Sequence, residues 1–291
     1  MSINEVLLPN TVEEAKMLLS QKKNIKLLAG GTDLLLGLNR GEVKAEYLID
    51  LSKIHSIKGI KNFEHHIIIG CMTSFTDVKN SSIINEKFSA LADCANMMGS
   101  PQIRNRATLG GNVANAAASA DVVPCLLAMD AAFHIESDKG KRLVRCKDYF
   151  NEYEKNKVKE NEILTEIIIN KKSAVTGFYK LGKRNALAIS RLCAAVSIEV
   201  QNNIIKNITL ALGAVGRFPF RVSEVEVFLK GRPISYIFSS EVLIMLENIV
   251  FESIKSRATM PFKKEAVKGV YKQAVINALE RTELGGGLYN E

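Results

Sequence analysis

The chain contains no tryptophan and only four histidines in 291 residues, and each shortage closes a route to function. Among His55, His65, His66 and His134 there is one adjacent pair, and no carboxylate or second His stands at helical spacing from it to complete a metal site. The cysteines, Cys71, Cys94, Cys125, Cys146 and Cys193, form no CxxC pair, so a zinc or iron–sulfur site built by this chain alone is not expected and no residue is named as a metal ligand. Their odd number, without a secretion signal, argues against a disulfide framework. The sequence has no GxSxG, HExxH or Walker A pattern, which leaves no catalytic residue to nominate. No apolar run approaches the ~20 residues of a membrane helix. Met1 to Glu5 lack the basic start and apolar stretch of a signal peptide, so the cytoplasm is the expected compartment.

Charge is not scarce. The formal net charge is +8 and the pI about 9.1, but the lysines are spread along the chain and no basic block is interleaved with aromatics. That pattern describes a solvated exterior or a partner-facing patch, and no nucleic-acid partner is expected. At 47% apolar and 24% charged residues the chain is an ordinary globular protein, long enough for two domains.

What the sequence does hold is two separated glycine pairs. One lies in Leu27-Leu28-Ala29-Gly30-Gly31-Thr32-Asp33-Leu34, the other in Thr108-Leu109-Gly110-Gly111-Asn112. Adjacent glycines permit positive φ and let several N–H groups converge on an anion, so the pairs are expected as two turns receiving the phosphates of one dinucleotide. No GxGxxG follows the first strand, which excludes a Rossmann scaffold for it.

Periodicity supplies the elements around these pairs. Thr11-Val12-Glu13-Glu14 reads as a capping box opening a helix to about Leu19. Strands are expected at Ile25 to Leu28, Tyr47 to Leu51, Ile67 to Gly70 and Ile163 to Ile169, and a helix at Glu86 to Met98. Asp121 reads as the cap of a helix running to Met129, and Asp138-Lys139-Gly140 as a hairpin turn. Beyond Lys172 come antiparallel strands at Gly177 to Leu181, Leu192 to Gln201 and Ile204 to Gly213, the last two joined at Asn202-Asn203. Three helical stretches end the chain, and Gly285 to Gly287 read as a loose tail. The expected architecture is α+β: a first domain over 1–172, subdivided at 54/55, and a second domain over 173–282 with a three-stranded sheet and a helical bundle.

Taken together, Ala29 to Leu34, Pro101 to Asn105 with Ala107 to Asn112, and Ser119-Ala120-Asp121 resemble the FAD-binding medium subunit of the molybdenum hydroxylases, the xanthine dehydrogenase family. The resemblance covers nearly the whole chain. It implies an FAD-binding domain of the vanillyl-alcohol oxidase type and a chain that passes electrons from [2Fe–2S] clusters of a small partner subunit, through FAD, to NAD(P) or another acceptor. A large molybdopterin subunit completes the implied complex. By the same resemblance Leu27 to Leu34 and Thr108 to Asn112 hold the FAD diphosphate, with Thr32, Thr108 and Asn112 as polar contacts. Asp121 matches an acidic position near the ribose, Leu164 a backbone position beside the flavin ring, and Lys180 a lysine near that ring. Met98 falls where some relatives place an aromatic.

Two departures stand out. Ala188 replaces an aspartate that xanthine dehydrogenase-like relatives often carry, which puts the acceptor in doubt. The cysteine-rich loop that holds an additional [4Fe–4S] cluster in some relatives is missing. Purine oxidation by the complex is slightly favoured. A nicotinate, aldehyde or carbon monoxide dehydrogenase subunit remains open, as do a self-contained FAD oxidase and a non-enzymatic nucleotide-binding protein.

Overall fold

The computed structural model describes residues 3–150, 157–184 and 188–281; the expected Gly285 to Gly287 tail and part of the charge-dense stretch 151–161 lie outside them. The described chain packs as two units, and two inserted stretches make the division discontinuous. The first comprises 1–77, 100–115 and 131–170, the second 78–99, 116–130 and 171–291. A contiguous 1–172 domain was the expectation. The difference has a physical cause: helix Val122–Ala128 is wholly apolar, helix Ser89–Met97 buries six of its nine residues, and both pack against the strands of the later sheet.

In the first unit three short strands lie parallel, with Tyr47–Asp50 between Glu5–Leu7 and Ile25–Leu28. Helix Val12–Gln21 buries Val12, Ala15 and Leu19 in a cluster with Ile49, Ile54 and Ile57. Its start follows the expected box with one shift. Thr11 Oγ1 accepts from the Glu14 N–H at 3.1 Å, whereas the Glu14 carboxylate accepts from Asn10 N–H at 2.7 Å, one residue earlier than the motif requires.

A five-stranded antiparallel sheet completes this unit, in the order Ile60–Asn62, His66–Gly70, Ile163–Asn170, Ala132–Ser137, Gly140–Arg145. The register slips once. His134 faces Glu166 but Ile135 faces Leu164, leaving Thr165 as an extra residue. Ile163 and Leu164, on the strand just before this bulge, both line one cavity.

The second unit is built on an antiparallel sheet in the order Phe220–Arg221, Ile204–Gly213, Leu192–Gln201, Val175–Leu181. The two-residue strand adds an edge to the three strands expected. Asn202 and Asn203, with φ of 52° and 60°, form the hairpin turn. Helices Ser240–Ile254 and Met260–Leu279 cover the sheet through Leu246, Val250, Tyr271 and Ala274. The single helix expected over Glu86 to Met98 is two, Ser82–Lys87 and Ser89–Met97. Phe88 separates them because its ring is buried at φ −134°, and Ala90 N–H then finds Thr176 Oγ1 at 3.1 Å.

Candidate functional site

Both glycine segments meet in the first unit around one cavity of about 520 Å³. Strand Ile25–Leu28 delivers the first of them. Gly31, at φ 76°, turns the chain in the left-handed region where only glycine sits without strain. The N–H groups of Gly30, Gly31, Thr32 and Asp33 have no acceptor among the described residues. Donors without an acceptor among the described residues, on residues that line a cavity, are a physical invitation to an anion.

The second pair is not a turn. Gly110 and Gly111 lie inside helix Leu109–Asn115, and neither has positive φ. Glycine is needed there for closeness instead. Leu109 N–H donates to Thr73 O at 3.0 Å and Gly110 N–H to Cys71 O at 2.9 Å, so the helix start lies against the chain leaving strand His66–Gly70. A Cβ on Gly110 would fall 2.4 Å from Cys71 Cβ and 2.6 Å from Cys71 O. Gly30 has the same reason, since its Cβ would stand 2.0 Å from Arg106 O. Between the two segments, a Cβ on Gly111 would meet Thr108 Oγ1 at 2.9 Å and Ala29 Cβ at 3.5 Å. Thr108 Oγ1 accepts from Gly111 N–H at 3.0 Å, which leaves its own proton for a ligand.

Of the residues nominated from the sequence, Leu27, Ala29, Gly30, Gly31, Thr32, Asp33, Leu34, Thr108, Gly110, Gly111, Asn112 and Leu164 line the cavity. Leu28 and Leu109 do not; both are core residues, Leu28 against Leu38 and Leu48. Sequence reasoning missed Lys26, Arg40, Cys71, Met72, Asn115 and Ile163 on the wall. Lys26 was within reach of that reasoning, as a cation one residue before the glycine segment. Cys71 and Met72 were not, because only the three-dimensional path from strand His66–Gly70 brings them there. Burial pushes the Cys71 thiol well above its ordinary value, with the Glu166 carboxylate adding to the effect, so it is an inert wall.

Asp121 and Lys180 belong to the second unit and are not cavity residues. Lys180 Nζ lies 2.7 Å from Asp121 Oδ2, and the two side chains are only 8% and 6% exposed. Ser190 Oγ donates to the other carboxylate oxygen. Asp121 precedes helix Val122–Ala128, yet its side chain makes no cap bond. The expected cap is replaced by a buried ion pair. Met98, at the end of helix Ser89–Met97, is likewise outside the cavity. Among the described residues no three His, Cys, Asp or Glu side chains gather as a metal site requires.

The comparisons with known proteins bear on this cavity directly. Residues 2–171 match the model described as the FAD binding domain in molybdopterin dehydrogenase, and 177–278 match the carbon monoxide dehydrogenase flavoprotein C-terminal domain. The chain belongs to this family. It is an FAD-binding medium subunit of the molybdenum hydroxylases, hence an oxidoreductase subunit. The chain is 33% identical to the nicotinate dehydrogenase FAD-subunit of Eubacterium barkeri, over 97% of this chain and 98% of that one. Identity to the xanthine dehydrogenase FAD-binding subunit of Escherichia coli O157:H7 is 29%, over 88% and 87%. In structure it is similar to a chain of carbon monoxide dehydrogenase from Hydrogenophaga pseudoflava, with a TM-score of 0.86, 29% identity and coverage of 95% and 97%.

The flavoprotein subunit's cavity suits FAD on its own chemistry. Its volume lies within the ~300–1,000 Å³ usual for cofactor sites. Four unpaired N–H groups match a diphosphate, and Lys26 adds a cation. Leu51, Met72, Ile163 and Leu164 offer apolar wall for a ring system. A side chain at Gly30 or Gly110 would push apart the backbones that shape the cradle.

Proposed function

We propose that this flavoprotein subunit carries electrons within a molybdenum hydroxylase complex, from [2Fe–2S] clusters of a small partner subunit to NAD(P) or another acceptor. A large molybdopterin subunit would hold the hydroxylation site. The observation that carries the reading is the row of unpaired N–H groups at Gly30 to Asp33, facing a cavity walled by the second glycine segment. Bound FAD supplies the redox chemistry that these side chains lack. The chain's own residues bind and orient. Backbone N–H groups and Lys26 neutralise the diphosphate, Thr32 and Thr108 donate hydroxyl protons, and Ile163 and Leu164 keep water from the ring. The proposal assigns 1–172 to FAD binding, 173–282 to the C-terminal domain, and the cytoplasm as compartment. Asp121 and Lys180, expected beside the cofactor, enter it as a buried pair whose charges cancel.

Relatives named as subunits or chains of dehydrogenases favour a subunit over a self-contained oxidase. The substrate belongs to the partner chain. Greater identity to the nicotinate than to the xanthine enzyme favours nitrogen heteroaromatics as a class, with nicotinate ahead of purine. Purification of the chain tests the core of the proposal. One FAD per chain, released by acid precipitation, is the expected result, and a colourless folded protein that takes up no added FAD would refute it.

A further inference from the structure

A half-buried ion pair, with Arg142 31% exposed, brackets one cavity residue from both sides. Strand Gly140–Arg145 places Arg142 at the sheet edge opposite Ile135, and Glu162 stands immediately before strand Ile163–Asn170. The guanidinium and carboxylate meet in parallel, Nε to Oε1 at 2.9 Å and Nη2 to Oε2 at 2.7 Å. Arg142 Nη2 also donates to Lys157 O at 3.0 Å, and Lys159 N–H donates to Glu162 Oε2 at 2.9 Å. Glu162 N–H closes the turn on Lys159 O at 3.0 Å. Val158, on the cavity wall, lies between the two anchored residues, and Ile163 and Leu164, also on the wall, follow directly.

We propose that Arg142 and Glu162 are positioning residues for the cofactor, holding the 157–164 wall segment in the shape that the flavoprotein subunit's cavity requires. The inference rests on the FAD reading above but goes beyond it, since neither residue lines the cavity. A planar fork suits the task because it fixes direction as well as distance, and a lysine ammonium at the same place fixes distance alone. The carboxylate is shared between the fork and a backbone N–H, so loss of the arginine frees both ends of the turn together.

The test compares wild type, Arg142→Met, Arg142→Lys and the double variant Arg142→Met/Glu162→Gln. Each is measured for the FAD dissociation constant by fluorescence titration, for bound-flavin fluorescence quenching, and for apo-protein melting. Arg142→Met is expected to weaken FAD binding by about tenfold, the factor that ~1.4 kcal/mol makes in a binding constant. It should reduce quenching while the apo-protein melts close to wild type. Arg142→Lys should recover part of the affinity, and the double variant should be no worse than Arg142→Met, since the two act as one unit. Unchanged affinity, or an affinity loss that only tracks a lower melting temperature in all variants, would overturn the positioning role. If wild type itself takes up no FAD, the FAD reading fails and this inference with it, a result distinct from wild-type binding unaffected by the substitutions.

Discussion

At the scale of single residues, the glycines around the cavity divide by the reason they are glycine, and substitution exposes the difference. Gly30→Ala sets a methyl 2.0 Å from the Arg106 carbonyl, a backbone atom with no side-chain rotation to relieve it. Flavin retention and thermal stability should fall together. Gly31→Ala is strained by its φ of 76°, at about 1–2 kcal/mol, but meets Leu35 Cδ1, which can move. Gly111→Ala meets only Thr108 Oγ1 and Ala29 Cβ, so the protein should melt within a few degrees of wild type while its FAD affinity drops. Melting curves with and without added FAD check the order, and a Gly30→Ala protein with normal flavin content and melting would contradict the close approach. The Asp121–Lys180 pair sets the second residue-scale prediction. Removing one partner strands a buried charge, so Lys180→Met should cost about 3–5 kcal/mol of unfolding free energy. Lys180→Met/Asp121→Asn should cost less than the single change, which urea unfolding measures. A stable Lys180→Met protein with a shifted flavin midpoint potential would point instead to a lysine acting on the flavin.

At the scale of elements, the five-stranded sheet carries a pH-sensitive cluster. His134 Nδ1 lies 2.6 Å from Glu166 Oε2, and Lys141 Nζ lies 3.2 Å from the same oxygen. Burial by itself would raise the Glu166 carboxyl, but the His134 and Lys141 contacts outweigh it and hold the group below its ordinary value. Glu162 is held down in the same sense, with the Arg142 guanidinium outweighing burial. Because both carboxyls are lower when folded than when unfolded, the unfolded chain takes up more protons as acid is added. The stability they contribute is therefore complete above the ordinary carboxylate range and is lost as pH falls below it, through the lowered folded values. Urea unfolding at stepped pH should show this decline, and Glu166→Gln should flatten it; an unaltered slope would remove Glu166 as a cause. These strands were legible because their alternation and β-branched residues act locally: Ile25–Leu28, the hairpin at Gly140 and Ile163–Asn170 all follow the pattern. The bulge at Thr165 was not, since it is a property of pairing between strands. The helix through Gly110 and Gly111 was hidden for a related reason. Glycine is a poor helix former, and only the backbone contacts to Cys71 and Thr73 make a helix there the best solution.

For the whole molecule, function was more legible than packing. The two glycine segments, far apart in sequence, meet at one cavity, and twelve of the residues named from the sequence line it. Assignment of stretches 78–99 and 116–130 to the second unit was not readable, because apolar helices such as Val122–Ala128 carry no mark of which sheet they will cover. The same logic governs what the chain does alone. Among the described residues no cluster of metal ligands gathers for hydroxylation: the thiol of Cys71 is buried and its ionisation suppressed, and the polar wall combines backbone donors, hydroxyls and the cations Lys26 and Arg40 with the carboxylates of Asp33 and Glu42. The isolated flavoprotein subunit should therefore accept electrons from a reduced nicotinamide at most, read as dye reduction, and should hydroxylate neither nicotinate nor purine. A tagged copy recovered from its own cell should bring two further chains, one rich in iron and one containing molybdenum, in a fixed ratio by metal analysis. Hydroxylation should appear only in that fraction, with nicotinate turned over faster than xanthine. Its net charge of +8 gives the assembly a second signature, since contacts made through dispersed lysines weaken as salt rises. Substantial hydroxylation by the metal-free single chain would end the subunit reading, whereas an active complex that prefers xanthine would reverse only the ranking of substrates.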